Sequence, residues 1–568
     1  MRKLEVNHGA SRKKVMPLVM AIANRLIKEV GFVQKINESV EWDKTHWQIS
    51  PGGLLKALIL STFQDIRTPL YRLQERLEQV DLGYLIGEGA ELKNVNSSNV
   101  GRALERLGET DSDGIYEQLA LSAVKSNEIP VTRLHGDTTT ISFYGEYEEM
   151  DLNEAEREEL LQIEKGYNKD GRHGDKQVVV GQIVNELGVP LVSRTLNGST
   201  SDVEWNKEAI GYLETIMSQG FTRGIFVADS KLATEELIGR LCGGENPIKF
   251  VTRCPANFEG RLERRMIEQA YNADRWESLG SYHEGKNASV YEGASFIEEV
   301  CGVPMRILVL RSSSLENKVR ASLEKKELEL KEVLSALGKK EFACQADAEK
   351  EIERTKNLKQ LRLFDCTFET EKETTQRWPR GRRSVSTQPN VEEKYRVRVT
   401  GTAFAEQASQ QFTREGSSFV IMSNVVDHVS DYDLLKIYKG QQVVENSFRQ
   451  LKAPQLASAI YLKNPTRIKA LTMILSFSLL IRAIIQYRMR DGMKRHNEEK
   501  PGVPIYAGWG GRPLANPTFK LFYEHSARCY FVRENHDYYT FAWPNIETEN
   551  CVLPLLNLMR VTLEELIE

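Results

Sequence analysis

The order of apolar segments between residues 129 and 253 limits the folds open to this chain of 568 residues. "IPVTRLHGD" has the pattern of a short strand, and "KQVVVGQIVNELGVPLVSRTL" that of two strands joined by a turn at Glu186 to Pro190. An amphipathic helix, "DVEWNKEAIGYLETIMSQG", comes next, followed by "RGIFVADS" as a strand, "LATEELIGRLC" as a helix and "PIKFVTR" as a strand. Three early strands followed by alternating helix and strand predict an α/β fold with a mixed sheet.

The segments on either side of this region differ in character, and a chain of this length is too long for one hydrophobic core. Residues 16 to 126 are mostly helical in pattern. Residues 254 to 415 break the alternation with short strands and a lysine- and glutamate-rich pair of helices, and "SFVIMSNV" then returns to a strand. The predicted domains are a helical N-terminal domain (1–126), the first part of the α/β core (127–253), a β-rich insertion domain with a helical pair (254–415), the last strand and helix of the core (416–495), and a C-terminal packed tail or dimerisation element (496–568).

Composition narrows the classes of function. The formal net charge is −4, so binding of nucleic acid would depend on local basic patches. The seven cysteines are scattered without a C-x-x-C pair, which favours a reducing compartment and argues against a structural zinc. The most apolar segment, "ALTMILSFSLLIRAII", contains Arg482 and is interpreted as too short and too charged to cross a bilayer. We therefore expect a cytoplasmic protein without a membrane segment.

The segment "YKGQQVVENSFRQLKAP", residues 438–454, predicts one helix that ends before a proline. Its polar residues fall within a stripe roughly 80° wide, beside an apolar stripe that can pack on a core. The stripe consists of Tyr438, Gln441, Glu445, Arg449 and Lys452. Taken alone, such a stripe is typical of a solvated helix face with weak charge pairs.

Two aspartates give Glu445 a second interpretation. Asp137 and Asp229 each follow a predicted strand, at the end of a sheet where open α/β folds carry reactive groups. Each alone has an ordinary explanation, because aspartate often ends a strand or caps a turn. Three carboxylates without histidine or cysteine suit Mg²⁺ or Mn²⁺. Two such ions about 4 Å apart can promote phosphodiester cleavage.

These motifs together resemble the DDE-type transposases of bacterial insertion sequences. The resemblance rests on "HGDTTTISFYG" with Asp137, "GYNKDGRHGDKQVVVGQIVNELGVPL", "NGSTSD", "FVADS" with Asp229, and the segment around Glu445. The branch in question carries tyrosine, two residues, arginine, three residues, glutamate, six residues and lysine. Tyr438, Glu445 and Lys452 match this signature, whereas Gln441 occupies the arginine position. The resemblance implies an RNase H-like core interrupted by a β-rich insertion before the last catalytic helix.

The resemblance also implies a function. A cut-and-paste transposase of this type binds the terminal inverted repeats of an insertion sequence, cleaves DNA with two Mg²⁺ or Mn²⁺ ions and joins the ends to target DNA. Asp137, Asp229 and Glu445 would then be the catalytic metal ligands. A homodimer on double-stranded DNA, associated with the nucleoid, is expected. Two alternatives remain open: an RNase H-like nuclease without strand transfer, and a domesticated DNA-binding protein.

Further residues are predicted to contact DNA. Basic side chains near the expected site can hold phosphates, and an aromatic side chain within the basic run "RWPRGRRS" can stack on an unpaired base. The predicted DNA contacts are Tyr438, Gln441, Arg449, Lys452, Lys169, Arg172, Arg253 and Trp378. Trp276 is a second candidate for stacking, with a buried core role as the alternative for both tryptophans. His135, on the same strand face as Asp137, is predicted to pack or orient neighbours rather than bind metal.

Overall fold

The chain forms two compact units in the computed structural model. The first comprises Met1–Leu232, Glu236–Phe250 and Ile437–Glu568, and the second comprises Ala233–Glu235 and Val251–Lys436. The structure describes residues 3–8, 14–64, 72–143, 160–172, 174–218, 224–243, 246–282, 288–378, 380, 388–452, 464–507, 512–535 and 538–567.

The N-terminal part of the first unit is helical after two short strands. Apolar side chains of the longer helices are buried against neighbouring helices, and the helix Pro51–Ser61 is buried on all sides. The elements are β1 (Lys3–His8), β2 (Val15–Pro17), α1 (Leu18–Val30), α2 (Phe32–Ser39), α3 (Pro51–Ser61), α4 (Leu73–Leu77), α5 (Leu82–Leu85), α6 (Ser97–Gly108) and α7 (Ser112–Ser126).

A mixed sheet follows, with the strand order β5-β4-β3-β6 in the first unit. Strands β3, β4 and β5 are antiparallel neighbours, and β6 runs parallel to β3. The backbone N–H of Phe226 in β6 donates to the carbonyl of Lys249, just before β7. The predicted α/β fold with a mixed sheet is confirmed. The elements are β3 (Arg133–Phe143), β4 (Lys176–Asn185), β5 (Pro190–Leu196), α8 (Asp202–Ser218), β6 (Ile225–Ala228), α9 (Glu235–Cys242) and β7 (Phe250–Arg253).

The second unit is built from an antiparallel sheet, a long two-stranded ribbon and helices. The strand order of its sheet is β7-β13-β10-β9-β8, and β11 and β12 form the ribbon. The lysine- and glutamate-rich region forms two helices, α11 and α12, as predicted. The elements are α10 (Leu262–Ala273), β8 (Glu277–Ser281), β9 (Val290–Val300), β10 (Val303–Ser312), α11 (Ser313–Gly338), α12 (Gln345–Lys356), β11 (Phe364–Arg377), β12 (Asn390–Phe404), α13 (Glu406–Ser417), β13 (Ser418–Ser423) and α14 (Asp431–Lys439).

The last part of the chain returns to the first unit. The C-terminal hairpin pairs with both N-terminal strands in the order β1-β15-β14-β2, and Phe531, Phe541 and Trp543 are buried there. The C-terminal region is therefore packed into the first unit. The elements are α15 (Gln442–Leu451), α16 (Pro465–Glu499), α17 (Phe519–Ser526), β14 (Tyr530–Asn535), β15 (Tyr538–Trp543) and α18 (Ile546–Met559).

Helix α16 is the central helix of the first unit. It contacts α1, α3, α6, α7, β5, α15, α17 and α18. With 35 residues it is long and apolar enough to cross a membrane, so the prediction that this segment is too short was wrong. However, 89% of its most apolar window is buried inside the protein, which agrees with its interpretation as a core helix.

Close packing of α16 on α18 gives a test of this arrangement. A Cβ atom at Gly492 would lie 2.0 Å from the carbonyl oxygen of Leu558, and a backbone atom cannot easily move away. We expect Gly492→Ala to lower the free energy of unfolding by about 1–3 kcal/mol in urea titrations. Gly239→Ala in α9 is the control, because its Cβ would meet nothing within 4 Å. The control should be neutral or stabilising by about 0.5–1 kcal/mol. Equal stability of both variants would contradict the close packing.

Candidate active site

Asp137 and Asp229 lie beside each other on parallel strands. Arg133, Leu134 and His135 of β3 pair with residues of β6 that are 92 positions later in the chain. The same offset aligns Asp137 with Asp229, directly after β6 ends at Ala228. Strand β3 itself continues to Phe143, so the prediction that Asp137 follows the end of its strand was wrong. Asp137 instead lies where pairing with β6 stops and β3 continues beside β4 alone.

A third aspartate and a lysine complete this cluster. Lys169 Nζ lies 2.9 Å from Asp202 Oδ1 and 3.3 Å from Asp137 Oδ1. The Thr138 hydroxyl donates to Asp202 Oδ1 at 2.5 Å, which fixes the start of α8 against β3. Asp202 was not among the predicted site residues. Its "NGSTSD" motif was noted, but the contact depends on how α8 and the loop around Lys169 pack on β3.

Burial and mutual repulsion perturb the cluster. Burial, together with the nearby carboxylates of Asp137 and Asp202, raises the pKa of Asp229 to about 6. Burial also raises the pKa of Asp137, although Lys169 opposes this rise. Burial lowers the pKa of Lys169, but Asp137 and Asp202 outweigh that effect and leave it raised. Three carboxylates thus share one ammonium, so the cluster keeps a net negative charge. Negatively charged oxygen donors are the ligands that a hard cation prefers.

Glu445 lies on a helix that packs over the same sheet face as Asp137. Gln182 is the partner of Asp137 on β4, so both side chains lie on that face. Gln182 Oε1 accepts a hydrogen bond from the Ser447 hydroxyl of α15 at 2.8 Å. Val444 and Phe448 of α15 pack on Val184.

Helix α15 packs on β3 and β4 and also contacts α16. Helix α16 lies over β5, because Ser193 of β5 and Ser476 of α16 are 2.8 Å apart. Asn446, Arg449 and Gln450 of α15 line a cavity with α16.

The Glu445 carboxylate interacts within its own helix. It accepts a hydrogen bond from Gln442 at 2.7 Å and is exposed. Within the described ranges, no group of three or more His, Cys, Asp and Glu side chains is arranged to hold a metal ion as the structure stands. The structure brings together Asp137, Asp202, Asp229 and Lys169, with Glu445 on the helix above them.

The predicted single helix over residues 438–454 is two helices. Helix α14 ends at Lys439 and α15 begins at Gln442, so Tyr438 belongs to the first and Gln441 caps the second. Gly440 lies at the break, where a Cβ atom would be 3.0 Å from His135 Cε1. The five polar residues therefore do not lie on one continuous helix. Pro454 lies outside the described residues.

Of the remaining basic residues of the first unit predicted to bind phosphate, Lys452 and Arg172 lie at the loop of Lys169. Lys452 Nζ is 2.7 and 2.8 Å from the two carboxylate oxygens of Asp170, the residue after Lys169. Arg449 donates to Asn446 Oδ1 at 3.1 Å, and Arg172 is exposed in the same loop as Asp170. Lys452 thus links the end of α15 to the loop that covers Asp137.

His135 is packed in the core as predicted. It is 1% exposed, and burial followed by the charge of Arg133 lowers its pKa to about 4. A neutral ring against Gly440 supports the packing of α15.

Two predicted DNA contacts belong to the second unit. Arg253 lies 3.9 Å from Glu263 and is exposed. Trp378 follows the end of β11 and is 44% exposed, so it is not a core residue. Trp276, by contrast, packs against Tyr271, with the guanidinium of Arg311 4.4 Å from its ring centroid, which is a structural arrangement. Arg382 and Arg383 lie outside the described residues.

Comparisons with known proteins give two similarities. Residues 15–121 match the family described as a domain of unknown function, DUF4277. Among solved structures, the chain is similar to a piggyBac transposase in a synaptic complex with hairpin DNA, with 8% sequence identity and a TM-score of 0.35. That match covers 87% of this chain and 85% of the other. No curated protein matches the chain.

The raised pKa of Asp229 predicts a pH-dependent cost to stability. Because its pKa is higher in the folded than in the unfolded protein, the carboxyl group destabilises the fold above about pH 6, and the loss is recovered as the pH falls towards 4. Asp229→Asn removes the charge, so in EDTA at pH 7.5 we expect it to raise the free energy of unfolding by about 1–2 kcal/mol. The difference from the native protein should disappear near pH 4.

Urea unfolding at both pH values measures this effect. Glu445→Gln is the matched control, because Glu445 is exposed and its replacement should change stability by less than about 0.5 kcal/mol. An Asp229→Asn variant no more stable than the native protein at pH 7.5 would show that the carboxylate is fully compensated in the fold.

Proposed function

We propose that this chain is a DDE-type transposase that binds the terminal inverted repeats of an insertion sequence, cleaves the DNA at these ends and joins them to target DNA. The main support is the strand register that aligns Asp137 with Asp229 on an RNase H-like sheet, together with Glu445 on a helix over the same face. The sequence resemblance to bacterial insertion-sequence transposases supports the same assignment.

The chain's own residues suit two hard divalent cations. Asp137, Asp229 and Glu445 would hold Mg²⁺ or Mn²⁺ through carboxylate oxygens, and Asp202 would add negative charge beside them. Such ions, when bound, activate a water or 3′-hydroxyl and stabilise the leaving oxygen of a phosphodiester. The ammonium of Lys169 lies between Asp137 and Asp202, as a metal cation bound by these two carboxylates would. The lysine side chain would move aside on metal binding, towards the phosphates of the DNA.

Basic residues around the site would hold the DNA backbone. Lys452, Lys169 and Arg172 lie at or near one loop, and Arg449 lies on α15 beside Glu445. Phosphate contacts of this kind position DNA without reading its sequence. Tyr438 and Gln441 would contribute from the turn before α15, and Gln441 provides an amide where the related signature has arginine.

The second unit and the N-terminal helices would supply the remaining DNA contacts. Arg253 would hold a phosphate, and the exposed Trp378 could stack on a base that leaves the duplex. Residues 1–126 would bind the transposon ends. Two copies of the chain would process two ends together in the cytoplasm, at the nucleoid.

The carboxylates can be tested one at a time. Asp137→Asn, Asp229→Asn and Glu445→Gln should each lower Mg²⁺-dependent cleavage of DNA bearing the element's ends by orders of magnitude. Their affinity for that DNA should stay near normal, since other residues bind the phosphates. Mn²⁺ binding, followed by electron paramagnetic resonance, should weaken in parallel. Glu204→Gln is the control, because Glu204 is an exposed carboxylate in the first turn of α8, two residues from Asp202.

The outcome also separates the alternatives. Joining of cleaved ends to a target plasmid supports a transposase, whereas cleavage without joining would favour a nuclease. DNA binding without metal-dependent cleavage by the native chain would favour a domesticated DNA-binding protein. Near-normal cleavage by any one variant would remove that residue from the metal site.

The Lys452 pair with Asp170 gives a second test. Lys452→Gln should weaken binding to end DNA and reduce the slope of log K against log salt by about one. Asp170→Asn should strengthen binding, because it frees the Lys452 ammonium for a phosphate. Lys494→Gln, at a highly exposed position of α16, is the control. Filter binding at several salt concentrations measures both slopes, and an unchanged slope for Lys452→Gln would identify Lys452 as a surface residue without a DNA contact.

A further inference from the structure

A cavity of about 620 Å³ lies between α15, α16 and α17, separate from the aspartate cluster. All of its lining residues belong to the first unit. Its volume falls within the range of about 300–1,000 Å³ that is usual for sites of small ligands. The cavity is thus large enough for a ligand the size of a nucleotide.

The cavity wall carries an excess of positive charge. Arg449, Arg482, Arg490 and Lys520 line it, and Glu524 is the carboxylate among its described lining residues. Glu524 lies 3.7 Å from Lys520 on the same helix, so it compensates at most one of these charges. The other three cations are guanidinium groups.

Arg482 is the most deeply placed of them. Its Nη2 donates to the carbonyl of Thr62 at 2.5 Å, and its guanidinium lies 5.2 Å from the ring centroid of Phe63 and 5.3 Å from that of Phe519. Its buried Nε has no hydrogen-bond partner in the part of the chain that the structure describes. Burial lowers its pKa to about 10. A buried guanidinium without a carboxylate partner is costly unless an anion accompanies it.

Neighbouring side chains extend the wall with polar groups. Arg490 lies about two turns after Arg482 on α16, and its Nε donates to the carbonyl of Pro517 at 3.0 Å. Gln486 lies between the two arginines in sequence. Its side-chain Oε1 accepts a hydrogen bond from the backbone N–H of Phe519, so the Gln486 amide faces α17. The aromatic rings of Phe519 and Tyr523 also line the cavity.

We propose that this cavity binds a nucleotide through its phosphate group. Arg482 and Arg490 would hold the phosphate, because the planar guanidinium presents paired donors that match phosphate oxygens. The half-buried ring of Tyr523 offers an apolar face for a base. The nucleotide could be free or part of a DNA strand, and the same chemistry would recognise either. The proposal does not depend on the assignment of the aspartate cluster.

Binding to the full chain in EDTA tests the proposal without any contribution from metal. Titration calorimetry would compare dTMP, thymidine, inorganic phosphate and a 5′-phosphorylated single-stranded oligothymidylate. We expect dTMP to bind, thymidine not to bind, and the affinity to fall with salt, because the phosphate supplies the charge. A preference for the oligonucleotide over dTMP that is lost in Arg490→Gln would assign the site to a DNA strand, and a preference for dTMP would assign it to a free nucleotide.

Variants locate the binding in the cavity. Arg490→Gln should weaken dTMP binding at least about tenfold, as expected for loss of a charged hydrogen bond to phosphate. Arg482→Lys keeps the charge but loses the paired N–H donors of the guanidinium, so it should also weaken dTMP binding. Arg106→Gln is the control and should leave dTMP binding unchanged, because Arg106 forms an exposed ion pair with Glu109 at α6. Thermal unfolding confirms that each variant is folded.

Three results would overturn the proposal. These are absence of dTMP and oligonucleotide binding by the native chain, equal binding of thymidine and dTMP, and unchanged binding in folded Arg490→Gln and Arg482→Lys. Because Asp137→Asn should leave dTMP binding intact, failure here is distinct from failure of the transposase assignment.

Discussion

A buried chain of hydrogen bonds fixes the helices of the first unit on its sheet. The Ser447 hydroxyl of α15 donates to Gln182, the Gln182 amide donates to Ser193 at 3.3 Å, and Ser193 meets Ser476 of α16. Each buried polar group finds a partner only when both helices are in register with β4 and β5. Gln182 is also the cross-strand partner of Asp137. The position of Glu445 over the sheet therefore depends on the same contacts that hold the core together.

The aspartate cluster is held in place at a cost in free energy. Parallel pairing of β3 and β6 fixes Asp137 and Asp229 side by side, and the start of α8 adds Asp202. Lys169 compensates part of the charge, and the raised pKa of Asp229 reflects what remains. Perturbed carboxylates of this kind concentrate at functional sites. Strand pairing and helix packing, which stabilise the fold in any case, offset the repulsion among these carboxylates.

Local patterns predicted much of this fold, because strand order and register follow from short segments. The hairpin and the alternation after it predicted the mixed sheet. The aspartate pair was predicted although only Asp229 follows the end of its strand. Asp202 and Lys169 were missed as a pair, since their contact depends on a loop folding over β3. The break at Gly440 was also missed, because the helical period continues in sequence across a residue that packs against His135. Arg482 was interpreted as an interruption of an apolar helix, whereas it lies over two aromatic rings in the core.

The discontinuity of the first unit determines when its core can form during synthesis. Helices α1, α3, α6 and α7 pack on α16, but α7 ends at Ser126 and α16 begins at Pro465, which is 465 − 126 = 339 residues later. At about 5–20 residues per second, the ribosome needs roughly 17–70 s to make that stretch. During this time the apolar faces of the early helices lack their partner. The nascent chain is therefore a natural client for chaperones, and a product truncated before residue 465 would have no closed core in its first unit.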